Sequence, residues 1–113
     1  MNGPRMALFP SRRDWEGARA DAGLETLAHD DMHAGEIETS VLLHVAPELV
    51  RDGYQDADHV TERSDLLVLG MRAYTTSGVI GRPSLGTAEK GKGILDSLAR
   101  SFARTLEALG APG

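Results

Sequence analysis

The sequence has no cysteine, few aromatic residues and no long apolar run, and each absence narrows what the chain can be. Without cysteine there is no disulfide framework, no thiol nucleophile and no cysteine-type zinc site. Aromatic residues make up 4% of the chain and the formal net charge is −5, which argues against nucleic acid or an anionic membrane as partner. No apolar run approaches the roughly 18 residues of a membrane span. The first residues lack a signal-peptide core, so a cytoplasmic protein is expected. What remains is an ordinary globular balance, 41% hydrophobic and 26% charged over 113 residues. That length holds one core, so residues 1–113 are read as part of one domain with no internal boundary.

The chemistry is concentrated in one stretch. Six of the twelve residues from His29 to Ser40 are Asp, Glu or His: His29, Asp30, Asp31, His33, Glu36 and Glu38. Imidazoles and carboxylates bind divalent transition metals and move protons near neutral pH. The stretch runs directly into the apolar Val41-Leu42-Leu43-His44-Val45-Ala46, so a reactive loop is fixed to a buried helix. Glu36 and Glu38 also suit a helix start on electrostatic grounds alone, since carboxylates there favour the helix dipole. His44, inside the apolar run, reads as a core or interface histidine, and His59, in a polar segment, as a solvated one.

Around this loop the elements follow from spacing and caps. Met6-Ala7-Leu8-Phe9 reads as a short buried strand closed by Pro10. Ser11 caps a polar helix over about 12–22, with Trp15, Ala18 and Ala22 on one stripe, and Gly23 ends it. A second helix over about 35–46 carries Ile37, Val41, Leu42 and Val45 on one apolar face. Residues 53–64 read as an exposed polar loop, Leu66–Leu69 as a second buried strand, and 70–86 as a long ordered loop. The last helix follows Thr87, with Gly91, Ile94, Leu95, Leu98, Phe102, Leu106 and Leu109 at 3–4 spacing. Two short apolar strands among amphipathic helices predict an α/β fold whose sheet is incomplete.

One motif is rejected. Gly86-Thr87-Ala88-Glu89-Lys90-Gly91-Lys92-Gly93 comes close to a phosphate-binding loop, but Gly93 stands where the Mg²⁺-binding hydroxyl belongs. The simpler reading is a glycine-bearing helix start with close packing.

Asp31-Met32-His33-Ala34-Gly35-Glu36-Ile37-Glu38-Thr39-Ser40, followed by Leu42-Leu43 and Ala46-Pro47-Glu48-Leu49-Val50, resembles the creatininase (creatinine amidohydrolase) family. Gly78-Val79-Ile80-Gly81 and Thr87-Ala88-Glu89-Lys90-Gly91 match that family's approach to its last helix. The resemblance implies part of a three-layer α/β/α sandwich, a homohexameric assembly and hydrolysis of a cyclic or other non-peptide C–N amide bond in a small molecule. It also implies a divalent metal cofactor (Zn, Mn or Fe). It covers only the family's C-terminal half, and the Glu-x-His, Asp and Asn-Gly-His metal ligands of the other half have no counterpart here. The isolated chain is therefore expected to hold no metal itself and to be inactive, or to act as a non-catalytic fragment that pairs with a complementary N-terminal half. By resemblance, His33 is the catalytic proton-transfer residue. His29 and Asp30 or Asp31 contact substrate, His29 standing where creatininase itself has an aromatic contact. Glu38, and less directly Glu36, orient the site.

Overall fold

The computed structural model describes residues 5–60, 75 and 77–110. Among them are three α-helices, α1 (Arg12–Asp21), α2 (Glu36–Val45) and α3 (Ala88–Gly110), with short 3₁₀ turns at Pro47–Leu49, Tyr54–Asp56 and Pro83–Leu85. No helix of the described residues is long and apolar enough to cross a membrane.

The helix starts follow from their capping residues. Ser11 Oγ accepts from the Asp14 amide at 3.3 Å while the Ser11 amide donates to Asp14 Oδ2 at 2.8 Å, a reciprocal capping box. Gly23, at φ +70°, ends α1 in the left-handed conformation that glycine adopts without strain. Thr87 Oγ1 accepts from the Lys90 amide at 3.1 Å and caps α3.

Packing departs from the apolar stripes. On α2 the buried residues are Glu36, Thr39 and Ser40, whereas Ile37, Val41 and Leu42 are half-buried and Val45 is 57% exposed. On α3 the buried line is Gly91, Ile94, Ser97 and Ser101, and Phe102 and Leu106 are exposed. The reason is close approach. A Cβ at Gly91 would overlap the Ser40 carbonyl, so the two helices cross where side chains are smallest. Ser40 Oγ accepts from the Thr87 amide at 3.1 Å across that crossing. α1 joins α3 through Ser97, whose hydroxyl donates to Asp21 Oδ2 at 2.7 Å. Phe9 packs on Phe102 with ring centroids 5.1 Å apart.

The expected strand at Met6–Phe9 is not one. The segment is irregular, and Met6 and Leu8 are 92% and 83% exposed, because no neighbouring strand pairs with it among the described residues. The expected strand at Leu66–Leu69 lies outside the described residues. Extended pairing among the described residues is limited to two isolated antiparallel bridges, His33 with Ile80 and His59 with Gly81. Thus residues 53–60 are not plain loop: they hold a 3₁₀ turn and one bridge, and His59 is half-buried and partnered. His44 is exposed in the last turn of α2, not in the core, and a cation there would favour the helix dipole.

The α2–α3 crossing gives a paired prediction. Gly91→Ala should lower stability by about 1–3 kcal/mol, because the backbone of α2 must move. Gly17→Ala, in α1 with no neighbour within 4 Å of its added methyl, should raise it by about 0.5–1 kcal/mol. Urea unfolding of both variants checks the opposite signs.

Candidate functional site

The His33 loop is held from both sides. The Met32 and His33 amides donate to the Ile80 carbonyl at 2.9 and 3.0 Å, and the Ile80 amide returns to the His33 carbonyl at 3.0 Å. Ile80 is fully buried, so this pairing anchors the loop to the interior. Ala34 sits at φ +53°, a left-handed conformation that costs a residue with a side chain on the order of 1–2 kcal/mol. Its amide donates to Glu38 Oε1 at 2.6 Å, which holds the turn in place. The His33 ring is left exposed at the rim of a cavity of about 450 Å³, whose wall Glu38 shares.

Asp31 holds the loop from beneath. Its side chain is fully buried, with Oδ2 accepting from Arg19 at 3.0 Å and from the Ile37 amide at 3.0 Å. It thereby caps the first turn of α2, since Gly35 has no side chain to do so. Oδ1 accepts no hydrogen bond among the described residues. It fills the space that a Cβ at Gly35 would take, and Gly81 lies on the other side, where a Cβ would come 2.6 Å from the Gly35 Cα. Both glycines are therefore needed for the loop, the carboxylate and the 80–81 backbone to meet. Arg19 also donates to the Thr26 carbonyl and hydroxyl at 2.9 and 3.0 Å.

Glu36 is wholly internal. It accepts from the Glu25 amide, the Thr26 amide and hydroxyl, and Lys90 Nζ, at distances of 2.7–3.1 Å. Lys90 places its other two donors on Glu25 Oε2 at 3.0 Å and the Leu85 carbonyl at 2.7 Å, so the ammonium is satisfied. Burial alone would raise the Glu36 pKa, but the Lys90 ammonium and the Thr26 and Glu25 donors outweigh it and hold the carboxyl below its usual range. For Lys90 burial likewise disfavours the charge, and Glu36 and Glu25 more than restore it, so its pKa is raised.

The expected site residues thus separate. His33 and Glu38 share one cavity. Asp30 is half-buried at another, of about 350 Å³, lined also by Arg82, and His29 is exposed and partnered. Asp31 and Glu36 are turned inward. Among the described residues no three His, Asp or Glu side chains come close enough together to hold a metal ion. Lys90 and Arg19 had not been singled out as site residues. Arg19 leaves no local signal, and Lys90 stands in the family-like Thr87–Gly91 segment and in the rejected phosphate-loop pattern without a role in either; Lys92 of that pattern pairs with Asp96 at 2.7 Å on the exposed side.

An exposed imidazole on a loop fixed by carboxylates and glycines is a group that can exchange protons with a bound molecule. A family model described as creatinine amidohydrolase matches residues 3–106, and the chain belongs to the creatininase family. It is 39% identical over 94 residues to the mycofactocin precursor peptide peptidase of Mycobacterium ulcerans (strain Agy99), a match covering 78% of this chain and 38% of that protein. It is 39% identical over 85 residues to the protein of the same name from Mycobacterium tuberculosis (strain CDC 1551 / Oshkosh), covering 66% of this chain and 33% of that protein. The chain therefore spans less than two fifths of the length of these relatives. No solved structure matches it.

The Glu36–Lys90 pair predicts a pH profile. Glu36 is depressed below the ordinary 4.5, so its contribution is intact above pH 4.5 and is lost as pH falls through the lower folded value. Lys90 is raised above 10.5, so its contribution is intact below pH 10.5 and is lost as pH climbs through the higher folded value. Glu36→Gln should cost about 3 kcal/mol at neutral pH, the low end for breaking a buried pair, because the Lys90 side chain is 16% exposed. It should also flatten the acid limb. Glu25→Gln, whose side chain is 62% exposed, should cost less than about 1 kcal/mol. Thermal melts across pH read both effects.

Proposed function

We propose that this chain carries the proton-transfer loop of a creatininase-family hydrolase that cleaves a C–N amide bond. The observation that supports this reading most is the placement of His33: an exposed imidazole at a cavity rim, on a backbone pinned by Ile80 and Glu38. A positioned imidazole can deliver a proton to the leaving nitrogen as the C–N bond breaks, which lets the nitrogen leave as a neutral amine. Glu38 keeps the Ala34 turn, and so His33, in place. Of the two aspartates Asp30 is the one open to a ligand, because Asp31 is held by Arg19 and Ile37. The relatives are named as peptidases, which favours a peptide amide over creatinine.

The family is generally metal-dependent, with Zn, Mn or Fe the expected ions. The carboxylates described here do not fit such a centre: Glu36 is saturated by Lys90 and backbone amides, and Asp31 is sealed beneath two glycines. We therefore infer that Glu36 and Asp31 are not metal ligands, and expect the isolated chain to be inactive. When a complementary N-terminal half is supplied, amide hydrolysis should appear. His33→Ala should then lower kcat by about 10²–10⁴-fold with metal content unchanged. Loss of the metal in that variant would make His33 a metal ligand instead, and no change in either quantity would reduce the loop to a structural element.

A second reading, an association module, has its own support. Met6, Leu8, Phe102 and Leu106 are all exposed. Apolar surface of this kind tends to pair. Sedimentation should show an oligomer, and a clean, cooperatively unfolding monomer of 12.1 kDa would count against it.

A further inference from the structure

The cavity beside His33 contains more than proton transfer requires. His33, Glu38, Thr39, Arg51 and Asp52 are its polar lining, but most of the lining surface is apolar, with Leu42, Leu49, Ala57 and Val79 contributing to it and Tyr54 half-buried beside them. At about 450 Å³ it falls in the size range of small-ligand pockets, roughly 300–1,000 Å³. Moving a proton to a leaving nitrogen needs polar groups at the reacting atoms. The apolar part of the chamber beside the same imidazole contributes nothing to that step. It does suit an apolar group covalently next to the bond being broken, because an amide whose nitrogen reaches His33 can place one of its substituents here. Two segments distant in sequence build the chamber. Leu49 and Tyr54 come from the 3₁₀ turns after α2, and Val79 directly precedes the Ile80 that anchors the His33 loop. The pairing that fixes the His33 backbone therefore also fixes the segment that carries Val79.

We propose that this cavity is a specificity subsite for an apolar side chain flanking the scissile amide. The substrate class is then an acylated amide or peptide carrying a leucine- or tyrosine-sized group beside the bond, in preference to a small polar cyclic amide. The proposal rests on the reading of His33 as the proton-transfer residue, and Leu42, Leu49, Ala57 and Val79 are its specificity-determining residues.

The test is a binding titration on the 113-residue chain, which needs no turnover. N-acetyl-leucine amide and N-acetyl-aspartate amide are titrated separately into isotope-labelled protein, following the Val79 methyl, Tyr54 ring and His33 ring signals. The leucine probe should bind at least about tenfold more tightly than the aspartate probe, the scale on which an apolar pocket discriminates. Ala57→Phe, which fills the chamber, should weaken the leucine probe about tenfold. Leu49→Asp should do the same, and because Leu49 is exposed this variant keeps the fold if Ala57→Phe does not. Equal affinities, or shifts confined to other residues, overturn the subsite. So does a Leu49→Asp variant that sediments more slowly than the parent, since the cavity would then be a contact between copies of the chain. Leucine selectivity with no hydrolysis by the completed enzyme would leave an apolar-ligand site and remove the catalytic reading. Hydrolysis with no preference for apolar neighbours would do the reverse.

Discussion

The structure depends on one buried ion pair. Glu36 opens α2 and Lys90 lies in the first turn of α3, 54 positions further on, and they meet at 2.7 Å in the interior. Removing two charges from water is costly unless every remaining donor and acceptor is satisfied. Here the remaining bonds come from Glu25 and Thr26 before α2 and from Leu85 before α3. Each of these segments must therefore arrive at the same point. An apolar pair of equal volume could be as stable, but it would accept many neighbouring registers. The ion pair accepts very few, and so sets how α2 lies against α3.

The second constraint turns that register into a site. Because Glu36 fixes the first turn of α2, the four residues before it have little freedom. Asp31 caps that turn from beneath, and Gly35 and Gly81 leave just enough room for its carboxylate. Ala34 absorbs the reversal in a left-handed conformation, and Glu38, one turn into the same helix, holds its amide. Strain at Ala34 is thus carried by contacts that originate in α2. His33 and Glu38 are the parts of this assembly left exposed, and they share one cavity.

The helices were readable in the sequence because their signals are local. Ser11 with Asp14, Gly23, and Thr87 with Lys90 each act within four residues of a helix end, and a local pattern predicts a local bond. The buried faces were not readable. Hydrophobic spacing on α2 pointed to Ile37, Val41, Leu42 and Val45, yet the face that packs on α3 is Glu36, Thr39 and Ser40. Spacing reports which face is apolar; it does not report how close a partner helix can come, and Gly91 lets α3 come to the Ser40 backbone. Met6–Phe9 failed for a related reason, since an apolar run becomes a strand only beside another strand. The clustering of His, Asp and Glu in residues 29–38 was legible from composition alone. The supports of this loop were not, because Arg19 and Lys90 reach Asp31 and Glu36 across 12 and 54 positions and leave no periodic trace.

That difference decides what a cluster of carboxylates can do. Counted along the chain, Asp30, Asp31, Glu36 and Glu38 beside two histidines suggest a rich ligand set. Counted by uncommitted lone pairs, the set is much smaller. Glu36 is saturated, Asp31 has one oxygen bonded and the other enclosed, and Glu38 has one oxygen on the Ala34 amide. A carboxylate already neutralised by an ammonium or guanidinium gains little from a metal ion and would leave its old partner unpaired. The same commitments that disqualify these groups as ligands make them effective supports, since a side chain held by several bonds cannot relax when a proton moves nearby. Asp31 and Glu36 are therefore committed to holding the loop, Glu38 is committed through one oxygen, and Asp30 is the acidic residue of the loop that these bonds leave open.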